Sequence, residues 1–408
     1  MKIELWAWTL VLGTAASALA APSIRPDSVA LTQPPSGGIV RVDYVLEDGP
    51  AIVTCDILTN GTSIGLANLR GLGGAVNRRV EAGAQTITWK PWRTWPNRDF
   101  DAVHATAVVT AWSPAMPPDY MVVDLASGDV RYYTCEEALP GGSVTNDLYK
   151  TDCMAFRKCP AGGVEWRNGT ATNEYWGSSS DIPARLVALK DDFYIGVFPV
   201  TQGQYRKVTG QNGSFYDGAD RDLHPVEQVD WRTLRGSKVW PADGHAVGNS
   251  GFFYLLRKLA GGGMFDLSTN AQWEFAARAG CGAELYDGNR LGNWQTSDNL
   301  KRLGAHRYGS TAPVGLFRPN DWGIYDMLAN VEQFCLDYYL FDDRATDPET
   351  GALATDIGVK ADYRVARGGC YIANAYECRV CSRKSEGAWG YRTIGFRVVC
   401  AVPDLPAK

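Results

Sequence analysis

Reactive chemistry in this chain would have to come largely from sulfur. Ten cysteines stand at positions 55, 135, 153, 159, 281, 335, 370, 378, 381 and 400, against only four histidines. Cys378-Arg-Val-Cys381 has the spacing of a zinc knuckle or of a thioredoxin-like redox pair, since two thiolates so placed can share an ion or a disulfide. The partners either would need are missing: there is no second C-x-x-C, no H-x-x-x-H, and no strand-to-helix context. An even cysteine count in an exported chain implies disulfides, with the pairing left open; Cys335 is a partner for Cys378 by residue type. Hydrolytic motifs are also absent, there being no Gly-x-Ser-x-Gly elbow and no His-Glu-x-x-His, and the acidic pairs Asp191-Asp192 and Asp342-Asp343 read as solvated loop charge. Trp89, Trp92 and Trp95 form either an aromatic platform for carbohydrate or a set packed in a core or an interface.

The elements that would position such groups fall into two parts. Residues 37–127 carry short β-branched and aromatic runs, at 40–44, 52–55, 85–89, 105–112 and 120–125, each bounded by Gly, Pro, Asn or Asp. That spacing predicts a β-sandwich of immunoglobulin or fibronectin type, without the paired cysteines of a true immunoglobulin domain. Residues 128–162 read as a connector, and 163–402 as a Gly- and Trp-rich second domain with few long elements. In this second part Thr269-Asn-Ala-Gln272 is a capping box that predicts a helix over 270–279 closed by Gly280. Thr201 caps a second helical turn, and Phe252 to Leu259 form a third helix.

At 408 residues with 45% hydrophobic content, the chain can bury more than one core. A net charge of −5 with no basic block argues against a nucleic-acid or anionic-membrane partner. Met1-Lys2, the apolar run from Leu5 to Ala16 and Ala18-Leu19-Ala20 read as a signal peptide over 1–20, followed by a linker over 21–36. No later stretch is long and apolar enough to span a membrane, so a secreted, periplasmic or cell-surface protein is expected.

Five ordered blocks resemble the formylglycine-generating enzyme (sulfatase-modifying factor) family: FYIGVFPVTQGQYRKVTG (193–210), HPVEQVDW (224–231), FDLSTNAQWEFAARAG (265–280), TAPVGLFRPNDWGIYDMLANVEQF (311–334) and RVARGGCYIANAYECRVCSRK (364–384) with IGFRVV (394–399). The resemblance implies an α+β domain of C-type-lectin-like kind after the all-β sandwich. It places Arg367, Gly368, Gly369, Arg379, Arg383, Gly395, Phe396 and Arg397 in the core and pocket floor.

Copper-dependent members of that family hold Cu(I) with two thiolates and oxidise a substrate cysteine with O₂. By resemblance those ligand positions are Ala373 and Cys378, six and eleven residues after Arg367, so one ligand is an alanine. Cys370, where the family has Ser, and Cys378 are the catalytic candidates if a displaced pair works. Calcium would, by the same resemblance, be held by Asp326, the carbonyls of Ala329 and Val331, and Gln333 in place of a Glu, with a second site beginning at Asn299 and Leu300. The related sulfoxide-synthase branch needs a histidine triad, whereas His104, His224, His245 and His306 stand singly. The expected function is a non-copper binding module for a peptide, protein or glycan; the alternatives are an oxidase of formylglycine-generating type and a structural surface scaffold.

Overall fold

The computed structural model describes residues 21–34, 37–96, 100–171, 183–340, 363–402 and 405. The expected signal peptide lies outside these residues. The stretch read as a linker carries two short strands, Ser23–Ile24 and Ala30–Thr32, both paired antiparallel to Val40–Glu47. Their backbone groups complete a ladder that a free tether would have left to solvent.

The first part consists of two antiparallel sheets. One joins Ser23–Ile24, Ala30–Thr32, Val40–Glu47, Gly83–Trp89 and Gly73–Gly74; the other joins Ala105–Trp112, Ala51–Thr59, Arg78–Val80 and Thr62–Ser63. Alternation in Val40–Glu47 turns Val42, Tyr44 and Leu46 inward, where they meet Ala51, Val53 and Cys55 of the second sheet. Trp89 is fully buried, with Trp95 at 5.8 Å and Phe100 at 4.8 Å in edge-on contacts. Of the three tryptophans weighed as a carbohydrate platform, Trp89 and Trp95 are therefore tied up in packing, and only Trp92 is exposed.

The strand expected at 120–125 does not join these sheets. Tyr120–Asp124 pairs with Val130–Tyr133 and with Cys153–Cys159, and the sheet continues through Phe193–Gly196 and Val398–Ala401 to Phe265–Leu267. The supposed connector thus supplies two strands of a six-stranded antiparallel sheet. Residue alternation shows that a segment is a strand but carries no information about its neighbour, which is why the assignment went to the wrong sheet. The two parts also share backbone contact, the Tyr132 N–H donating to the Asn77 carbonyl at 2.8 Å.

A second mixed sheet orders Arg383–Gly387, Tyr363–Arg367, Glu332–Tyr338 and Ile394–Phe396, the last pair parallel. The helices are few and short. Thr201 and Thr269 each form a reciprocal capping box, with Gln204 and Gln272. The helix expected over 270–279 spans Asn270–Arg278, and its left-handed cap is Ala279 at φ +46°, one residue before Gly280.

Buried arginines tie these elements together. Glu274 on the Asn270–Arg278 helix accepts from Arg278 at 2.7 Å, from Arg367 at 2.8 Å and from the Gly169 N–H at 2.8 Å. Burial alone would raise the Glu274 carboxyl, but Arg278, Arg367 and the Gly169 N–H bring it below its ordinary value. Its contribution is therefore present above the unfolded-state value and lost as pH falls through the folded one. Glu274→Gln should remove the buried counter-charge of two guanidiniums and cost about 3–5 kcal/mol at neutral pH. Urea unfolding checks this, and the deficit should shrink in acid, where the wild-type carboxyl is itself protonated.

Candidate functional site

Arg397 lies between Ile394–Phe396 of the mixed sheet and Val398–Ala401 of the six-stranded one, and its side chain stitches the two together. Its guanidinium donates to the carbonyls of Gly196 at 2.5 Å, Tyr325 at 2.6 Å and Asp326 at 3.2 Å, and to Gln333 Oε1 at 3.0 Å. Burial lowers its pKa to about 9, which leaves it charged at neutral pH. Gln333 Oε1 also accepts from Trp273 Nε1 at 2.9 Å, and its Nε2 donates to the Asp326 carbonyl at 2.8 Å.

This geometry bears directly on the calcium expectation. The Asp326 carboxylate accepts from the Gly315 N–H at 2.7 Å and from Asn330 Nδ2 at 3.4 Å, and burial raises its pKa. Both hydrogen-bonding ends of Gln333 are already engaged, and the nearest cation is Arg397. Ala329 adopts φ +60° and donates its N–H to the Gly368 carbonyl at 2.7 Å, with Val331 buried beside it. Of the expected calcium donors, Gln333 thus has its amide oxygen already engaged by Arg397 and Trp273. At the second position Asn299 Oδ1 accepts from Arg302 at 2.8 Å, while the Leu300 carbonyl accepts the N–H groups of Leu303 and Gly304. These oxygens close a helical turn.

The cysteine pair is equally enclosed. Gly369, at φ +68°, brings its backbone so close that a Cβ there would overlap Cys378 Sγ, while Gly368 at φ +89° packs on the Met327 carbonyl and Trp273. Cys378 is fully buried and its thiol donates to the Asn374 carbonyl at 3.6 Å. Burial raises Cys378 well above its ordinary value and Cys370 to about 12, with Glu332 adding to both. Both are thiols at neutral pH. Ala373 offers a methyl group where a thiolate is required, so the residues present do not fit the family's Cu(I) site.

The remaining expected residues are structural. Arg367 donates to Asn270 Oδ1 at 2.7 Å and to the Cys381 and Ser382 carbonyls at 2.9 and 3.0 Å, which holds the Cys378–Ser382 turn against the Asn270–Arg278 helix. Arg379 donates to the Tyr376 carbonyl at 2.8 Å, Arg383 lies 4.6 Å from the Tyr339 ring centroid, and Phe396 packs edge-on against Phe252 at 4.9 Å. Gly395 lets its strand close on the Val226 carbonyl. All ten cysteines are unpaired, contrary to the expected disulfides; Cys335 Sγ lies 3.8 Å from Ser268 Oγ.

Sequence reasoning passed over Glu332 and Lys384. Glu332 is buried, its Oε1 accepts from Lys384 Nζ at 2.9 Å, and Lys384 also meets Glu386 at 2.7 Å. Burial pushes the Glu332 carboxyl up to about 7 against the pull of Lys384. The signal was available: an acid between Val331 and Phe334, in a run otherwise suited to burial, must find a partner. Lys384 and Glu386, with Gln228 and the 390–393 loop, line a cavity of ≈ 520 Å³.

A sheet-rich α+β domain with few helices, organised around buried guanidiniums and a glycine pair under a closed turn, is the class that fold and site define. The chain belongs to the family described as the sulfatase-modifying factor enzyme 1-like domain, which matches residues 143–402. It is similar to the formylglycine-generating enzyme of Thermomonospora curvata, 29% identical over 229 residues that make up 50% of this chain and 63% of that protein. It is also similar to the chaperone protein LppX of Paenibacillus barcinonensis, 26% identical over 48% of this chain and 75% of that one. The solved structure of PvdO from Pseudomonas aeruginosa aligns with a TM-score of 0.48 and 22% identity over 61% of this chain and 95% of its own.

Two outcomes follow. In native protein at neutral pH, alkylation should reach the partly exposed Cys135 and Cys281 first, and Cys370 and Cys378 only in denaturant, as counted by mass spectrometry. His306 is buried, and burial, with Arg307 and Lys301, lowers its pKa to about 4. Stability should therefore fall as pH drops from the unfolded value near 6.5 towards 4, and a His306→Phe variant should flatten that limb of the melting-temperature profile.

Proposed function

We propose that this chain is an exported, non-copper binding module, in which a sulfatase-modifying-factor domain of C-type-lectin-like kind presents a ligand-contact face and an immunoglobulin- or fibronectin-type sandwich precedes it. The observation that carries this reading is the pairing of Ala373 with a Cys378 thiol sealed beneath Gly369 and held protonated by burial. Oxidation of a substrate cysteine needs thiolates that a metal and a third sulfur can approach, and this arrangement supplies neither. One open cavity is bounded by Lys384, Glu386, Gln228 and the 390–393 loop, with Glu332 buried beside Lys384.

Fold alone does not assign a ligand, so the test addresses chemistry first. The mature protein is titrated with Cu(I) under mild reduction beside Cys370→Ala and Cys378→Ala. The expected result is no stoichiometric binding by any of the three. One-to-one binding lost in both variants would sink the non-copper reading in favour of an oxidase built on a displaced cysteine pair.

A further inference from the structure

Tyr391 lines the cavity beside Lys384 and Glu386, and further exposed rings stand next to it. Trp389 is 46% exposed, Tyr391 42% and Phe215 61%. The Trp389 and Tyr391 ring centroids lie 6.4 Å apart, Trp389 Nε1 donates to the Tyr391 hydroxyl, and the Arg392 guanidinium sits 5.5 Å from the centroid of the Phe215 ring. Trp389 is seated on the backbone of Gly387, where an added Cβ would come within 2.6 Å of the indole. One part of the indole rests on the strand while nearly half of the residue stays open.

The loop that carries these rings is held before any ligand arrives. The Trp231 N–H donates to the Ala388 carbonyl at 2.8 Å, the Gln228 N–H to Tyr391 at 2.9 Å, and the Glu332 N–H to Thr393 at 2.8 Å. A preset loop loses little freedom on binding. Lys384 pairs with both Glu332 and Glu386, and Arg392 supplies the second positive charge, so the two cations offset the two acids. Among the described residues Glu332 Oε2 has no protein hydrogen-bond partner, although the carboxylate is buried.

We propose that this cleft, with Trp389 and Tyr391 as its stacking surface and Gln228, Lys384 and Glu386 as its polar contacts, binds a neutral saccharide. The C–H faces of a pyranose stack on the rings, and its hydroxyls donate to the acids and the amide oxygen and accept from Lys384 and Arg392. A cationic ligand would have to compete with Lys384 for the two acids, whereas a neutral polyol uses the ion pairs as they stand. No metal ion takes part, which separates this site from calcium-mediated sugar binding. The inference rests on the binding-module reading and names its ligand.

The experiment is native affinity electrophoresis of the full chain in gels containing laminarin, xylan, mannan, dextran or hydroxyethylcellulose, with and without EGTA. Retardation by at least one polysaccharide is expected, unchanged by EGTA, and weakened about tenfold by Trp389→Ala or Tyr391→Ala, the size expected for an aromatic anchor. Gly387→Ala should weaken it through the tilt of the indole, and Trp92→Ala should leave it unchanged. Unaltered melting temperatures in these variants separate lost contact from lost fold. No retardation in any gel, retardation abolished by Trp92→Ala alone, or dependence on calcium would overturn the proposal. A peptide array bound in a Trp389-dependent way, without polysaccharide retardation, would assign the cleft to a peptide instead. Copper binding in the titration above would sink the module reading itself, so the two failures are distinguishable.

Discussion

Burying an arginine commits the structure around it. A guanidinium has five donors and keeps its charge, so each one placed in the core must find oxygens from several elements at once. Arg397 draws on a strand of the six-stranded sheet, the Tyr325-Asp326 turn and Gln333 of the mixed sheet. Arg367 joins the Asn270–Arg278 helix, through Asn270 and Glu274, to the turn after Cys378. Arg364 stacks 3.7 Å from the ring centroids of both Trp231 and Tyr338 and caps the Leu336 carbonyl at 2.8 Å. With so little regular helix, irregular backbone is held largely by these side chains, and loss of one would expose several carbonyls together.

That requirement explains why the candidate chemistry has receded. One oxygen expected to face a calcium ion, Gln333 Oε1, is the one that Arg397 and Trp273 share, and Gln333 serves as a neutral spacer between them. Closing the Cys378–Ser382 turn onto Arg367 likewise buries the thiol that a metal would need. The cavity beside Lys384 and Glu386 is lined by ion-paired side chains and Tyr391.

Much of this was legible in the residues, through local rules. The Thr269–Gln272 and Thr201–Gln204 boxes marked two helix starts, since capping is decided within four residues. The glycine pair at 368–369 pointed to close backbone approach, and the Arg367 and Arg397 motifs to the core. What local rules could not carry was partnership at long range. Tyr120–Asp124 looked like one more strand of the first part, yet it hydrogen-bonds to Cys153–Cys159. The glutamate at 332 drew no notice because its meaning depends on Lys384, far along the chain and on another strand. The ten cysteines suggest pairing by number, whereas all ten are unpaired and most are buried.

The six-stranded sheet begins before the segment that matches the family. Tyr120–Asp124 and Val130–Tyr133 cover one side of Cys153–Cys159, and Tyr132 in turn holds the Asn77 carbonyl. A fragment cut at residue 143 would leave the backbone of Cys153–Cys159 unsheathed along that side, a bare edge able to template intermolecular pairing. The preceding part of the chain thus acts as a solubility guard for the domain as well as its neighbour, and the protein's modularity is shallower than its sequence divisions suggest.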